Sequence, residues 1–262
     1  MLYDAHNHLQ DERLRPFWEE VCKKLSGLKL GEAVVNGSSE EDWDDVARLA
    51  LEFPWVRPSF GLHPWYVTER GTGWLERLEG LLKKDERACV GEVGLDRWIQ
   101  EPDIPAQVEC FRRQVALAVN LDRPLTVHCL RAWGMLEEEL RNQPVPDRGF
   151  LLHSYGGPVE MVPAFAKRGA YFSLSPYFGH ERKAAQLEVF KAIPLERLLA
   201  ETDAPDMWPP EELNGNPLSG SEGALNHPAN LPVSYALLAK AKGMPQDELE
   251  EQVAENYRRL FG

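Results

Sequence analysis

Short apolar runs alternate with longer amphipathic stretches along the whole chain. The apolar runs predict eight β-strands: Leu2–Ala5, Ala33–Val35, Val56–Phe60, Ala88–Val93, Leu125–Val127, Phe150–Leu152, Tyr171–Leu174 and Leu198–Ala200. Strands that alternate with helical stretches are typical of βα units, in which neighbouring strands run parallel.

The stretches between these strands carry apolar residues at helical spacing. They predict nine helices: Arg13–Leu25, Glu40–Leu51, Trp74–Lys83, Gln107–Asn120, Trp133–Arg141, Val159–Arg168, Glu181–Ala192, Val233–Ala241 and Gln246–Leu260. Two boundaries have capping signals, because Ser38 and Ser39 precede the second helix and Gly169 follows the sixth.

Eight strands, each followed by a helix, fit the size of one (β/α)8 barrel of the TIM type. The sequence therefore predicts an α/β fold in which residues 1–262 form a single domain. A doubly wound open sheet is the alternative, and it places a ligand in one crevice at few strand ends. Here polar residues follow at least six strands, and only closure of the sheet brings so many strand ends together.

Ionisable side chains follow the apolar strands, where burial without a partner costs several kcal/mol. His6 and His8 end the first strand, and side chains two residues apart on a strand point to the same side. Such a pair alone is weak evidence, because two neighbouring histidines are often simply solvated. Compatible metal ligands follow four further strands: Glu92, His128, His153 and Asp203.

Four histidines and two carboxylates are more ligands than one divalent ion needs. We therefore expect two ions about 3.5–4 Å apart, with Glu92 bridging them and a water between them whose pKa falls towards about 7. Asp203 is expected to bind one ion, accept the proton of that water and deliver it to the leaving group.

Other side chains are candidates for contacts around this centre. His63 follows the third strand, and we expect it to bind substrate or support a ligand, with a structural role as the alternative. Tyr155, Tyr177 and Trp98 are candidates for apolar or stacking walls, although loop aromatics often only pack. His180 and His227 lie in loops, where solvated side chains are expected.

The charge and the cysteines limit the partners and the compartment. The formal net charge is −13, so the overall field does not attract duplex DNA, and any nucleic-acid contact has to be local or made through cations. The four cysteines form no C-x-x-C pair, which predicts reduced thiols in a cytoplasmic protein. Neither a targeting segment nor an apolar run of about 20 residues is visible, so no membrane association is expected.

Several catalytic signatures are missing from the sequence. It contains no G-x-x-x-x-G-K-[ST] phosphate loop, no G-x-G-x-x-G after the first strand and no G-x-S-x-G nucleophile elbow. The segment 205–232, rich in Pro, Gly, Asn and Ser, follows the eighth strand. A loop of this length is often functional, with an unstructured insertion as the alternative.

An ordered set of short motifs resembles the TatD family of metal-dependent hydrolases over nearly the whole chain. The motifs are D-A-H-N-H-L at 4–9, G-L-H-P-W at 61–65, G-E-V-G-L-D at 91–96, P-L-T-V-H at 124–128, H-S-Y-G-G at 153–157, E-T-D-A-P at 201–205 and N-H-P-A-N-L at 226–231. Gln107, Phe111 and Gln114 match spaced positions of the helix that follows the third motif.

The resemblance implies a metal-binding (β/α)8 barrel with six ligands: His6, His8, Glu92, His128, His153 and Asp203. It also implies phosphodiester hydrolysis, typically of DNA from the 3′ end, with Mg, Mn or Zn as the ions. The family often has an arginine two residues after the fourth motif. Here Leu130 takes that place and Arg131 follows, and Arg131 is the candidate for a substrate phosphate contact.

Two other functions remain open from the sequence. An amidohydrolase or lactonase acting on a small molecule uses the same metal-activated water, and the fold alone does not choose between the two. The segment 214–226 favours this alternative slightly, because it contains Glu222 and no Lys or Arg. A metal-binding protein without activity is the third possibility, and the complete ligand set including Asp203 argues against it.

Overall fold

The computed structural model describes residues 1–221 and 223–262, so Glu222 lies outside the described residues. Eight parallel strands form one sheet in sequential order: β1 (Leu2–Asn7), β2 (Leu30–Asn36), β3 (Val56–Phe60), β4 (Cys89–Asp96), β5 (Leu125–Leu130), β6 (Phe150–Leu152), β7 (Ala170–Leu174) and β8 (Leu198–Ala200). All eight predicted strands are confirmed. The sequential order excludes the doubly wound alternative, in which the strand order reverses.

Helices follow the strands around the outside of the sheet. Their bounds are α1 (Trp18–Gly27), α2 (Trp43–Glu52), α3 (Trp74–Lys84), α4 (Ile104–Asn120), α5 (Trp133–Arg141), α6 (Val162–Lys167), α7 (Ala184–Ala192), α8 (Leu231–Lys242) and α9 (Gln246–Phe261). Each predicted helix has a counterpart, but the first, sixth and seventh begin as 3-10 turns, at Glu12–Phe17, Val159–Met161 and Glu181–Lys183.

The start of α2 differs from the predicted one. Ser38 and Ser39 do not cap a helix at Glu40; instead both donate their backbone N–H to the carboxylate of Asp42, and the helix begins at Trp43. The segment is a turn held by an aspartate, because a short carboxylate competes well for nearby backbone N–H groups.

The sheet closes where β1 meets the segment after β8. Asp203 donates its backbone N–H to the carbonyl of His6 (2.9 Å), and His8 donates to the carbonyl of Ala204 (2.7 Å). The carboxylate of Asp4 accepts from the backbone N–H of Thr202 (3.0 Å) and from its hydroxyl (2.5 Å). These bonds complete a nearly closed barrel and bring the first and last strands together.

The helices pack on the barrel through one apolar face. In α2 the buried side chains of Trp43, Val46 and Leu49 recur at helical spacing, and burying each contributes roughly 1.5–3 kcal/mol. The Trp43 indole also donates to the carbonyl of Gly61 (2.9 Å), which fixes the chain after β3. None of the described helices has the length and apolar character needed to cross a membrane.

The long segment after β8 contains a short antiparallel hairpin, β9 (Pro217–Gly220) and β10 (Gly223–Asn226). Buried amides attach it to the barrel. Asn226 donates to the carbonyl of Thr202 (2.7 Å), and Asn230 donates to the side-chain oxygen of Asn226 (3.2 Å). The described part of this segment is therefore packed against the end of β8 and is not an unstructured insertion.

Candidate metal centre

The six predicted ligands lie together at the C-terminal end of the barrel. His6, Glu92 and His128 lie within β1, β4 and β5. The other three follow strands: His8 and His153 come directly after β1 and β6, and Asp203 lies three residues after the end of β8. Every one is buried or nearly so, with Glu92 3% and His6 0% exposed. All six predicted metal ligands therefore lie in one cluster at the ends of the strands.

Glycines allow the strand that carries Glu92 to approach its neighbours. Gly94 has a φ of +156°, and a Cβ at this position would lie 1.9 Å from the carbonyl oxygen of His128. Any larger residue would separate β4 from β5 beside the cluster. The glycine two residues after Glu92 is thus required by the close approach that places Glu92 and His128 side by side.

Two imidazoles and two carboxylates form the first group of ligand atoms. The Nε2 atoms of His6 and His8 are 3.2 Å apart. Both face Glu92 Oε2, at 3.4 and 3.3 Å, and both face Asp203 Oδ1, at 3.5 and 3.6 Å. Four ligand atoms thus surround one point.

The other oxygen of Glu92 faces a second group. Glu92 Oε1 lies 2.7 Å from His153 Nε2 and 3.0 Å from His128 Nδ1. The Nε2 atom of His63 is 3.5 Å from the same oxygen. Each oxygen of Glu92 therefore belongs to a different group of imidazole nitrogens, and Glu92 is the residue that the two groups share.

Outer hydrogen bonds decide which nitrogen of two ligands carries a proton. His8 Nδ1 lies 2.7 Å from the backbone carbonyl of Asn36, which only accepts, so Nδ1 carries the proton. His128 Nε2 lies 2.9 Å from Asp96 Oδ2, so Nε2 carries the proton there. In the neutral imidazoles, the nitrogens that face Glu92 therefore carry no proton and present a lone pair.

Burial and charge oppose each other within the cluster. Burial alone raises the pKa of Glu92, but the surrounding imidazoles outweigh it and hold the pKa well below its usual value. Burial lowers the pKa of His6 to about 3. Burial and the neighbouring carboxylates of Glu201 and Glu92 raise the pKa of Asp203.

This donor set fits divalent metal ions. The lone pairs of His8 and His128 point at the carboxylate of Glu92, and two electron-rich atoms in contact need a positive charge between them. Four groups of described residues place possible ligand atoms within 4.8 Å of one another: His6, His8 and Asp203; His6, Glu92 and His153; His63, Glu92 and His128; and His153, Glu201 and Asp203. Imidazole and carboxylate ligands suit Zn and Mn, and the carboxylates also suit Mg.

Sequence reasoning missed three groups that support the ligands. Asp96 and Glu201 stand in the motifs at 91–96 and 201–205, but nothing in the spacing shows that Asp96 reaches His128. Glu201 is fully buried, accepts from the backbone N–H of Ser154 (2.7 Å) and from the Ser173 hydroxyl, and has its Oε1 3.8 Å from His153 Nδ1. The carbonyl of Asn36 carries no sequence signal, because every residue has one.

The predicted substrate-contact residues are placed differently from one another. His63 lies at the cluster and accepts a hydrogen bond on Nδ1 from the Trp65 backbone (3.2 Å), which puts the proton on Nε2, the atom facing Glu92. Arg131 is exposed just after β5, with a φ of +55°. The structure brings His63 to the cluster and leaves Arg131 on its rim.

Tyr155 has the environment of a core residue and does not line the opening. Its side chain is fully buried, its hydroxyl donates to the carbonyl of Pro158 (2.8 Å), and its ring packs against Trp133 and Phe172. The substrate contact predicted for Tyr155 is therefore corrected to a packing role, because both its ring and its hydroxyl are already in use.

Two further expectations have different outcomes. Trp98 is 55% exposed after β4, as a stacking wall requires. His227 was expected to be solvated, which is wrong: it is fully buried, and its Nδ1 accepts from the backbone N–H of Ala229 (2.9 Å). It caps the turn that leads into α8, a role that only the fold reveals.

Comparisons with known proteins give matches over nearly the whole chain. A family model described as TatD related DNase matches residues 3–262. The chain is 29% identical to an uncharacterized metal-dependent hydrolase, YabD of Bacillus subtilis, over 100% of this chain and 99% of that protein. It is 28% identical to a protein of Klebsiella pneumoniae named 3′-5′ ssDNA/RNA exonuclease TatD, over 100% and 98% of the two chains.

A solved structure has the same fold. The crystal structure of YjjV, a TatD homologue from Escherichia coli, superposes with a TM-score of 0.89 at 25% sequence identity, covering 99% of this chain and 97% of that one. The barrel architecture described above is thus shared over the full length of both chains.

Proposed function

The chain belongs to the TatD-related DNase family of metal-dependent hydrolases, and on this basis we propose that it removes nucleotides from the 3′ ends of DNA with two divalent metal ions. It is a metal-dependent hydrolase that acts on ester bonds. The proposal adds the number of ions, the substrate and the direction of cleavage. The observation that carries it is that each oxygen of Glu92 faces a different group of imidazole nitrogens.

Each group would hold one ion. His6, His8 and Asp203 with Glu92 Oε2 form the first set, and His128 and His153 with Glu92 Oε1 form the second. When bound, divalent ions would lower the pKa of a coordinated water and would stabilise negative charge on an attacked phosphoryl group. Mg, Mn and Zn are all compatible with these donors.

Asp203 is the proposed proton carrier. Its Oδ1 faces the nitrogens of His6 and His8, which leaves Oδ2 to accept the proton of the attacking water and return it to the leaving oxygen. The side chain of Asp203 is buried but not completely enclosed, at 8% exposed.

His63 and Arg131 are the proposed substrate contacts. His63 Nε2 carries a proton and points into the second group, where it can donate to a phosphate oxygen. Arg131 supplies a positive charge at the rim of the opening. Such local contacts are needed because the chain as a whole carries a charge of −13, which repels a polyanion.

The test compares DNA with small esters and amides. Protein loaded separately with Mg, Mn or Zn is incubated with 3′-labelled single-stranded DNA and with a panel of lactones, amides and phosphate esters. Release of labelled nucleotide that is lost in Asp203→Asn supports the proposal. Asp206→Asn is the matched control, because Asp206 lies in the same segment but is exposed and paired with Arg13, and this variant should stay active.

Two outcomes of the same experiment would contradict the proposed hydrolysis of DNA. DNA that stays intact while a lactone or an amide is hydrolysed would replace the proposal with the amidohydrolase or lactonase alternative. Tight metal binding without turnover of any substrate would favour a metal-binding protein without activity.

A further inference from the structure

A tryptophan beside the candidate metal centre is held in place while much of it faces solvent. Trp65 is 46% exposed, although a large aromatic ring gains from burial. Its indole Nε1 donates to Asp96 Oδ2 (2.8 Å), so the orientation of the ring is fixed by a hydrogen bond and not by packing alone. An exposed ring with a fixed orientation is suited to receive another flat group.

The hydrogen bond that fixes this ring also reaches the centre. The same Asp96 oxygen accepts from His128 Nε2 (2.9 Å), and the ring of Trp65 lies edge to face with His63, centroids 5.2 Å apart. One carboxylate therefore separates the exposed indole from a candidate metal ligand. A flat group stacked on Trp65 would therefore lie close to the candidate metal centre.

Further aromatic and cationic side chains are exposed at the neighbouring strand ends. Arg97 and Trp98 are exposed just after β4, and Arg131 is exposed just after β5. The two strand ends are joined there, because Arg97 donates its backbone N–H to the carbonyl of Leu130 (2.9 Å). We call Trp65, Arg97, Trp98 and Arg131 the tryptophan rim.

Extending the proposed function, on which this inference rests, we propose that Trp65 is the stacking surface for the unpaired nucleobase next to the scissile phosphodiester. Proteins that bind single strands combine aromatic rings, on which bases stack, with cations that follow the phosphates. The tryptophan rim supplies both on a chain whose overall charge is strongly negative. A base inside a duplex has both faces covered by its neighbours, and a terminal paired base is held in place by its pairing partner, so this contact favours unpaired ends.

The test removes the base in one arm and the ring in another. The substrates are short single-stranded DNAs whose 3′-terminal nucleotides carry their bases or are abasic. For the wild-type chain we expect the abasic strand to have a KM about 5- to 150-fold higher, the range that loss of one stacked base produces. Trp65→Leu should raise the KM for the normal strand by a similar factor and should no longer distinguish the two strands.

Two further variants separate the ring from other effects. Trp65→Phe keeps an aromatic face but loses the indole donor to Asp96, and it should retain most of the preference for the strand with bases. Trp55→Leu is the matched control, because Trp55 is a half-buried tryptophan just before β3, at the opposite end of the barrel. It should keep the full preference. Equal KM values for both strands in the wild type, or an unchanged preference in Trp65→Leu, would overturn the inference.

A binding measurement separates this inference from the proposed function. Tryptophan fluorescence of the metal-loaded protein is titrated with a deoxynucleoside monophosphate and with deoxyribose 5-phosphate. Quenching by the nucleotide alone, present in Trp55→Leu and absent in Trp65→Leu, supports the stacking surface even if no DNA is cleaved. Equal quenching in Trp65→Leu and the wild type contradicts it even if DNA is cleaved.

Discussion

The carboxylate of Asp96 holds the imidazole of His128, with Oδ2 of the aspartate 2.9 Å from Nε2 of the histidine. The hydrogen bond commits the Nε2 proton to the aspartate and turns the Nδ1 lone pair towards Glu92. Carboxylates in this position fix both the tautomer and the ring orientation of a metal ligand. Asp96 therefore acts on the centre without facing its interior.

Asp96→Asn should weaken metal binding selectively. An amide in this position can donate to His128 Nε2 and so favour the tautomer whose Nδ1 carries a proton, which cannot bind a metal. We expect the affinity for the second ion to fall by about 10- to 100-fold, while the set around His6 and His8 keeps its affinity. Isothermal titration with Mn or Zn measures both steps, and two unchanged binding constants would contradict this role.

Glu92→Gln should reduce the metal content. The amide leaves only one oxygen that can bind a metal and removes the negative charge that both groups share. We expect elemental analysis to show one ion or none per chain in place of two, and hydrolysis to slow by at least about 100-fold. Glu32→Gln is the control, since Glu32 pairs with Arg57 away from the cluster. Two retained ions in Glu92→Gln would disprove the shared position.

Thr202→Val should destabilise the closure of the barrel. The substitution removes the hydroxyl that donates to the buried carboxylate of Asp4 and leaves one of its oxygens without that partner. We expect the free energy of unfolding to fall by about 1–3 kcal/mol. Urea denaturation measures it, and Thr72→Val, at an exposed position, should change it by less than about 0.5 kcal/mol. Equal effects of the two variants would contradict the importance of this contact.

Gly94→Ala and Gly80→Ala should have opposite effects. A methyl group at position 94 collides with the backbone of His128, so we expect destabilisation of more than about 3 kcal/mol or no folded protein. Gly80 lies within α3, and a Cβ there meets nothing within 4 Å, so alanine should stabilise the helix by about 0.5–1 kcal/mol. Thermal unfolding compares the two, and a stable Gly94→Ala protein would refute the close approach of β4 and β5.

Cys89 should make the protein sensitive to alkali. Burial raises the pKa of its thiol to about 12, from about 9 in the unfolded chain. The stability that this group contributes is fully present below pH 9 and is lost as the pH rises towards 12, because the unfolded thiol ionises first. Between these values Cys89→Ala should reduce the slope of unfolding free energy against pH by about 1.4 kcal/mol per unit. Cys22→Ala, at a more exposed position, is the control, and equal slopes in wild type and Cys89→Ala would contradict the shift.

The strands and the six clustered side chains were predictable for the same physical reason. Parallel strands covered on both faces are continuous apolar runs, so a charged residue at the end of such a run, as at Glu92 or His128, stands out. The contacts of Asp96 with His128 were not predictable, because they join residues 32 positions apart through the packing of two strand ends. The burial of Tyr155 was not predictable either. An aromatic residue in a loop is expected to be accessible, but here the ring is enclosed by side chains from distant segments.

The hydrogen bond between His6 and Asp203 joins the first strand of the barrel to the segment after the last strand, within one cluster. A chain still emerging from the ribosome holds the β1 histidines from the outset, but Asp203 and the backbone that fixes His6 follow about two hundred residues later. A chain that ends before Asp203 therefore lacks one of the six clustered side chains and also the backbone N–H that bonds the carbonyl of His6.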